Sequence, residues 1–190
     1  IYRLDTVRET LRMGAGLDER DNLTPHAQRE AIACLARFGE RLRGFDRAAV
    51  RAVATNTFRV ARNVAKFLPR AEAALGFPID VIGGHEEARL IYVGVAHELP
   101  ASDTPRLVVD IGGGSTEFIV GRGMNAERLE SLKLGCVTMS RRFFADGSLD
   151  EDALEAAETH AQVEVEAIAR EFSRRHWRDA FASSGTALAL

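Results

Sequence analysis

The stretch VVDIGGGSTEFIVG, Val108 to Gly121, puts three consecutive glycines between two short apolar segments, directly after an aspartate and directly before a Ser-Thr pair. Two β-prone runs this close in sequence read as neighbouring antiparallel strands joined by a glycine tip, which commits this part of the chain to a hairpin. The tip is neither a Walker loop nor a dinucleotide fingerprint, because GxxxxGK[ST] is absent and no helix follows the glycines. Consecutive N–H groups of Gly112, Gly113, Gly114, Ser115 and Thr116 can turn inward as an anion nest, since glycine permits positive φ and lets an anion approach the main chain. Asp110 at the strand end and Glu117 beyond the turn suit a divalent cation such as Mg²⁺, which takes one or two carboxylates with waters and substrate oxygens. A glycine-bulged hairpin capped by Asp110 is the plain structural alternative.

The rest of the chain reads as α/β. Thr24-Pro25 is an N-cap followed by proline at the first helical position, and Ile32, Leu35, Phe38 and Leu42 recur at helical spacing up to Gly44. A strand is expected within Ala48 to Thr55. A helix follows through Phe58, Ala61, Ala65 and Leu68, with a kink at Pro69 and an end near Gly76. Ile79 to Gly84 reads as a second strand leading into a helix that sets Ala88, Ile91, Tyr92 and Val95 on one face. This alternation implies parallel strands. Pro100 to Pro105 is the natural linker. After it, RLVVDI, STEFIVG and AERLESLKL predict an antiparallel meander. A helix from Asp150 then carries Leu154, Ala157, Ala161, Val165, Ile168 and Phe172 on one face, and Asp179 to Gly185 predicts a strand entering a tight turn.

Two further polar turns close strands. Thr55, Asn56 and Thr57 follow the first strand, with Arg59 placed to clamp phosphate through its bidentate fork. Ser183, Ser184, Gly185 and Thr186 follow the last. Glu86 and Glu87 open a helix, where acidic residues also serve the helix dipole; successive helical residues diverge by about 100°, so at most one of them aims along a given direction and can orient a water. His85 reads as a turn or capping residue. The window from Arg47 to Arg70 holds Arg51, Arg59, Arg62 and Lys66 and no acidic residue, which fits either a solvated face or a funnel for a polyanion. Together these features make a phosphate chain the economical ligand. An aspartic protease lobe also sets an Asp before a glycine turn, but Ile111 stands where a hydroxyl is usual and the helical context fits poorly.

Composition narrows the classes. The formal net charge is −3, which gives no global reason to expect nucleic acid or a membrane surface as partner. No apolar run approaches the ~20 residues a membrane helix needs, and a cytoplasmic protein is expected. Cys34 and Cys136 show no metal spacing, and both read as small buried residues. A chain of 190 residues can bury roughly 70% of its unfolded surface.

In order, ATNTFRVARN, GGHEEARLIYVGV, VVDIGGGSTEFIVG, SLKLGCVTMSRRFF and ASSGTALAL resemble the exopolyphosphatase / guanosine pentaphosphate phosphohydrolase family, within the actin-like ATPase superfamily. The resemblance spans nearly the whole chain. It implies two ribonuclease-H-like α/β domains, residues 1–101 and 102–190, and Mg²⁺-dependent release of terminal phosphate from inorganic polyphosphate or guanosine pentaphosphate. It gives Glu87 the part of catalytic base, Asp110 and Glu117 that of metal and water ligands, and Gly112 to Ser115 that of a phosphate loop. Arg59 becomes a cleft-facing arginine, and Ser183 to Thr186 a turn usually read as ASGT. A homodimer is common among members. The resemblance also implies a preceding DLGSNS-like loop and a longer second domain, so the chain is expected to be a fragment, inactive by itself. Its opening RLDTVRETLRMGAGL resembles a strand and loop. A superfold kinase or a non-catalytic polyphosphate sensor would share the same turns.

Overall fold

The computed structural model describes residues 6–189. They form two compact units that divide between Val81 and Ile82.

The first unit contains α1 (Pro25–Arg41), β1 (Ala52–Ala54), α2 (Asn56–Val60), α3 (Val64–Leu75) and β2 (Ile79–Val81). The start of α1 is as the sequence predicts: Pro25 is its first residue, and the Thr24 hydroxyl accepts the Ala27 N–H at 3.2 Å. β1 and β2 pair in parallel, Ala52 beside Ile79 and Ala54 beside Val81. Leu23, Ala31, Phe67, Ala71 and Ile79 are buried in the core beneath them.

Three expectations change in this unit. β1 is shorter than Ala48–Thr55, because Arg47–Ala49 forms a 3-10 turn on the Asp46 cap. The predicted single helix is two, and its break falls at Ala61–Asn63, with Pro69 accommodated inside α3. The cause is non-local. Asn63 donates its amide to the Leu23 carbonyl and accepts the Leu23 N–H, both at 2.9 Å, while the Arg62 N–H reaches the Asp21 carbonyl at 2.9 Å. Residues 6–12 form no strand, since a strand needs a ladder partner and none lies beside them among the described residues; Met13–Gly16 is a 3-10 turn. Residues 1–5 of the opening lie outside the described residues.

The second unit contains α4 (Gly84–Glu98), β3 (Arg106–Ile111), β4 (Thr116–Arg122), β5 (Asn125–Leu132), α5 (Cys136–Phe143), α6 (Glu151–Glu166), β6 (Asp179–Ser183) and α7 (Ser184–Leu188). The sheet order is β5-β4-β3-β6. The first three strands form the expected antiparallel meander, and β6 returns parallel to β3. A meander whose first strand takes a parallel neighbour is the ribonuclease-H-like arrangement, so the mixed α/β class holds. α4 covers one face of this sheet, burying Ala88, Tyr92 and Ala96 against Val108 and Ile119, with Ile91 and Val95 beside them. That packing puts α4 with the second sheet, although it precedes the Pro100–Pro105 linker at which the sequence reading divides the domains.

The opposite face carries Leu107, Val120 and Phe172, with Ile168 and Trp177 packed against them. α6 starts on the Asp150 cap as expected, but its predicted apolar face is not a single buried stripe. The helix ends at Glu166, and Leu154 is 51% exposed. Ala157 alone is buried within α6, and Ile168 and Phe172 reach the core from the turns that follow.

Candidate active site

β3 and β4 pair Asp110 with Glu117, β4 and β5 pair Glu117 with Ser131, and β3 and β6 pair Asp110 with Ser183. Directly paired residues share a face of a sheet. Every strand of the second unit therefore contributes one polar residue to a single row, Ser183–Asp110–Glu117–Ser131, on the face that α4 covers. The N-terminus of α4 lies at that row. A Cβ placed on Gly84 would stand 2.6 Å from the Ser131 Cβ and 2.7 Å from its Oγ, so only glycine permits this approach.

The close approach sorts the two glutamates of the first helical turn. Glu86 is held in a bidentate pair by Arg89, at 2.7 and 2.8 Å, on the exposed side. The charge of Glu87 acts on Glu117. His85 sits within the first turn of α4, 3.6 Å from a Glu130 carboxylate oxygen.

Glu117 is the most confined charge in the row, at 1% exposure. Its Oε1 accepts the Ser131 hydroxyl at 2.8 Å. Burial pushes its carboxyl above the ordinary range. The neighbouring charges of Glu87 and Asp110 push the same way, and hydrogen bonds from Ser115 and Ser131 hold it back. Glu87, Asp110 and Glu117 thus raise one another's electrostatic cost at this end of the sheet. Among the described residues no group of three or more His, Cys, Asp or Glu side chains is set closely enough to hold a metal ion by itself. The donor set still fits Mg²⁺, which takes one or two carboxylates and completes its shell with water and substrate oxygens.

The glycine tip adjoins this row. The Gly112 N–H closes the turn on the Ser115 carbonyl at 2.9 Å, and Gly113 is exposed at the apex. None of Gly112, Gly113 and Gly114 has positive φ, so the expected left-handed nest is not what shapes the tip. The N-terminus of α5 shapes it instead. The N–H groups of Cys136, Val137 and Thr138 donate to the carbonyls of Gly112 and Gly113 at 3.0, 2.8 and 3.1 Å. The Thr138 hydroxyl donates to the Gly114 carbonyl at 3.4 Å, and the Thr116 hydroxyl to the Leu134 carbonyl. With the carbonyls turned into α5, the N–H groups of Gly113 and Gly114 have no protein acceptor among the described residues. The positive end of the α5 dipole lies behind them.

Gly135 makes this contact possible. A Cβ there would fall 2.4 Å from the Gly113 carbonyl carbon and oxygen and from the Gly114 nitrogen. Gly135 lies inside the SLKLGCVTMSRRFF motif, where the local sequence does not by itself mark its role. The signal available was a glycine immediately before a helix, but its partner lies about twenty positions upstream. Ser131 was missed likewise, as one hydroxyl in an otherwise ordinary strand. Cys136, read as buried, is exposed at the first position of α5, because the helix's contact with the tip is made by backbone.

The third polar turn reaches the same sheet edge. Ser184 adopts φ +83° and donates its hydroxyl to the Ile111 carbonyl at 2.6 Å, tying the turn containing Gly185 and Thr186 to the end of β3. The second unit thus gathers Glu87, Asp110, Gly112–Glu117 and Ser183–Thr186. Asn56 and Arg59 belong to the first unit, half-buried in α2 at the C-terminal end of β1.

A model of the Ppx/GppA phosphatase family matches residues 1–190. Among solved structures, that of an exopolyphosphatase-like protein is 26% identical, with a TM-score of 0.84, over 94% of this chain and 56% of the other. The Aquifex aeolicus PPX-GPPA enzyme is 28% identical, with a TM-score of 0.67, over 87% and 53%. An exopolyphosphatase from Cytophaga hutchinsonii is 25% identical, with a TM-score of 0.77, over 92% and 56%. The chain spans slightly more than half the length of each.

Proposed function

Since the chain belongs to the Ppx/GppA phosphatase family, we propose that its carboxylate row and glycine tip serve the hydrolysis of a terminal phosphoanhydride, with inorganic polyphosphate or guanosine pentaphosphate as substrate. The observation that carries the reading is the buried Glu117 between Ser131 and Asp110, with Glu87 beside it and an amide-lined tip next to it. Phosphoryl transfer asks a protein chiefly for positioning and charge neutralisation, because charge spreads over the equatorial oxygens in the transition state.

In this reading the N–H groups of Gly113 and Gly114 hold oxygens of the terminal phosphate, backed by the positive end of α5. Glu87 takes the proton of the attacking water. Glu86 is held by Arg89 on the outer side, and Glu87 is the one of the two whose charge reaches Glu117. Asp110 and Glu117 would hold Mg²⁺, which when bound would supply charge neutralisation for the phosphate oxygens. Ser131 fixes the Glu117 carboxylate. Arg59 keeps the cleft-facing part that the resemblance gives it, and Asn56, in the polar turn after β1, serves as a further phosphate contact.

The test is phosphate release by the intact full-length protein from long-chain polyphosphate and from guanosine pentaphosphate, with and without Mg²⁺. Glu87→Gln is expected to lower kcat by about 10²-fold or more, the share of a general base. A Gln variant with wild-type turnover would remove Glu87 from the mechanism, and binding without release of phosphate would make the protein a sensor.

A further inference from the structure

At the other end of the same strands, away from the glycine tip, the second unit carries a separate concentration of cations. The segment from Arg174 to Arg178 leads into β6, and the Arg178 N–H donates to the Pro105 carbonyl at 2.9 Å just before β3. A surface pocket of ≈ 290 Å³ opens there, lined by Pro105, Arg174, Arg175, Trp177 and Arg178. Glu171 and Asp179 flank the segment in sequence. Among the described residues, however, none of the three arginines forms an ion pair with a carboxylate. Three exposed guanidinium groups line one pocket; Arg174 also donates to the Arg178 carbonyl and Arg175 to the Ser173 hydroxyl at 3.0 Å, and the planar forks match phosphate oxygens with the N–H groups these bonds leave over.

The pocket's aromatic residue restricts which anion fits. Trp177 packs against the cluster of Leu107, Val120 and Phe172 and donates its indole N–H to the Phe172 carbonyl at 2.7 Å. The Arg174 guanidinium covers the ring at 4.2 Å from its centroid. A nucleobase would have to displace that guanidinium to stack, whereas phosphate needs only guanidinium N–H groups not already bonded to the Arg178 carbonyl and the Ser173 hydroxyl. Position restricts it further. Asp110 beside Ser183 marks the tip end of the β3–β6 pair, and Arg106 beside Asp179 marks the pocket end. Four steps of about 3.3 Å put roughly 13 Å of sheet between them, so the phosphate being cleaved is not the one held here.

We propose that Arg174, Arg175 and Arg178 form an exosite for the distal phosphates of long-chain inorganic polyphosphate. The choice of polyphosphate rests on the hydrolase reading above. Two sites gripping one chain raise its apparent affinity by effective concentration, a gain closed to any substrate too short to reach both.

Trp177 is the only tryptophan in the sequence, so its fluorescence reports on this pocket directly. Titrating the chain with long-chain polyphosphate is expected to give a saturable, salt-sensitive change in emission. The Arg175→Ala/Arg178→Ala double variant, which leaves the Arg174–Trp177 contact in place, is expected to weaken it roughly tenfold. Tripolyphosphate is expected to produce no comparable response. In turnover, the double variant should raise KM for long chains several-fold with kcat unchanged, and leave KM for guanosine pentaphosphate unaltered. A silent Trp177, an unweakened double variant, or equal binding of a single-stranded RNA oligonucleotide would each overturn the exosite. Absence of phosphate release from every substrate by the intact full-length protein would instead overturn the hydrolase reading, and the fluorescence titration of the chain would still decide the pocket.

Discussion

Gly135→Ala is the substitution for which the structure gives the sharpest expectation. The backbone of Gly135 has φ −133° and ψ 151°, a conformation any residue adopts, so the cost is purely steric. The new methyl would lie 2.4 Å from three main-chain atoms of Gly113 and Gly114, and no side-chain rotation can relieve that. α5 must back away from the tip. Doing so strains or breaks the three N–H···O bonds from Cys136, Val137 and Thr138 to Gly112 and Gly113. At about 0.5–1.5 kcal/mol net for each bond, the loss is about 2–4 kcal/mol, or a fall in Tm of roughly 5–15 °C. The same substitution at Gly94, in the exposed middle of α4 with nothing within 4 Å of its Cβ position, is the control. There alanine should stabilise by about 0.5–1 kcal/mol through helix propensity. Urea unfolding of both variants, with hydrogen exchange at the Val137 amide, gives the comparison. The reasoning fails if Gly135→Ala unfolds within about 0.5 kcal/mol of wild type, or if the Val137 amide keeps its protection.

Glu117→Gln should separate stability from function: the amide still accepts the Ser131 hydroxyl but carries no charge beside Glu87 and Asp110. A carboxyl raised in the folded state destabilises it above that raised pKa and not below the ordinary carboxylate range. The variant is therefore expected to unfold at higher urea than wild type at neutral pH, to lose that advantage as the medium is acidified into the ordinary carboxylate range, and to lose phosphatase activity throughout. Asp150 behaves with the opposite sign. The backbone N–H of Ala153 and the Ser148 hydroxyl hold its carboxyl below the ordinary range, so its cap on α6 is present at neutral pH and lost on acidification through the lowered value. Asp150→Ala should lower Tm by roughly 2–5 °C at pH 7 and make no difference once both states are protonated.

Where local pattern decided structure, the sequence was legible. The Thr24-Pro25 start of α1, the α4 face of Ala88 and Tyr92, the β3–β4–β5 meander and the Asp150 cap each depend on neighbours within a few positions. The family followed from five motifs in order. What escaped depends on distant partners. Asn63 breaks the α2–α3 stretch because Leu23, forty positions earlier, needs both of its backbone groups satisfied. The glycine tip was read through the freedom of its own φ angles. Its shape is set by helix α5 arriving from the far side of β4 and β5, an approach visible only once those strands are paired.

The polar row has a consequence for how errors in strand pairing are tolerated. Side chains alternate across a sheet, so a slip of one position in any of the four strands would swing its row member to the opposite face and disarm the site. β4 and β5 are joined by a tight hairpin, where such slips begin. The ladder shifts between Val120 and Gly121, leaving Glu127 as the extra residue between Arg128, opposite Val120, and Ala126, opposite Gly121. That irregularity lies between the turn and the Glu117–Ser131 pair. It works as an expansion joint: the hairpin can gain or lose a residue at its outer end while the chemistry at the inner end stays in phase.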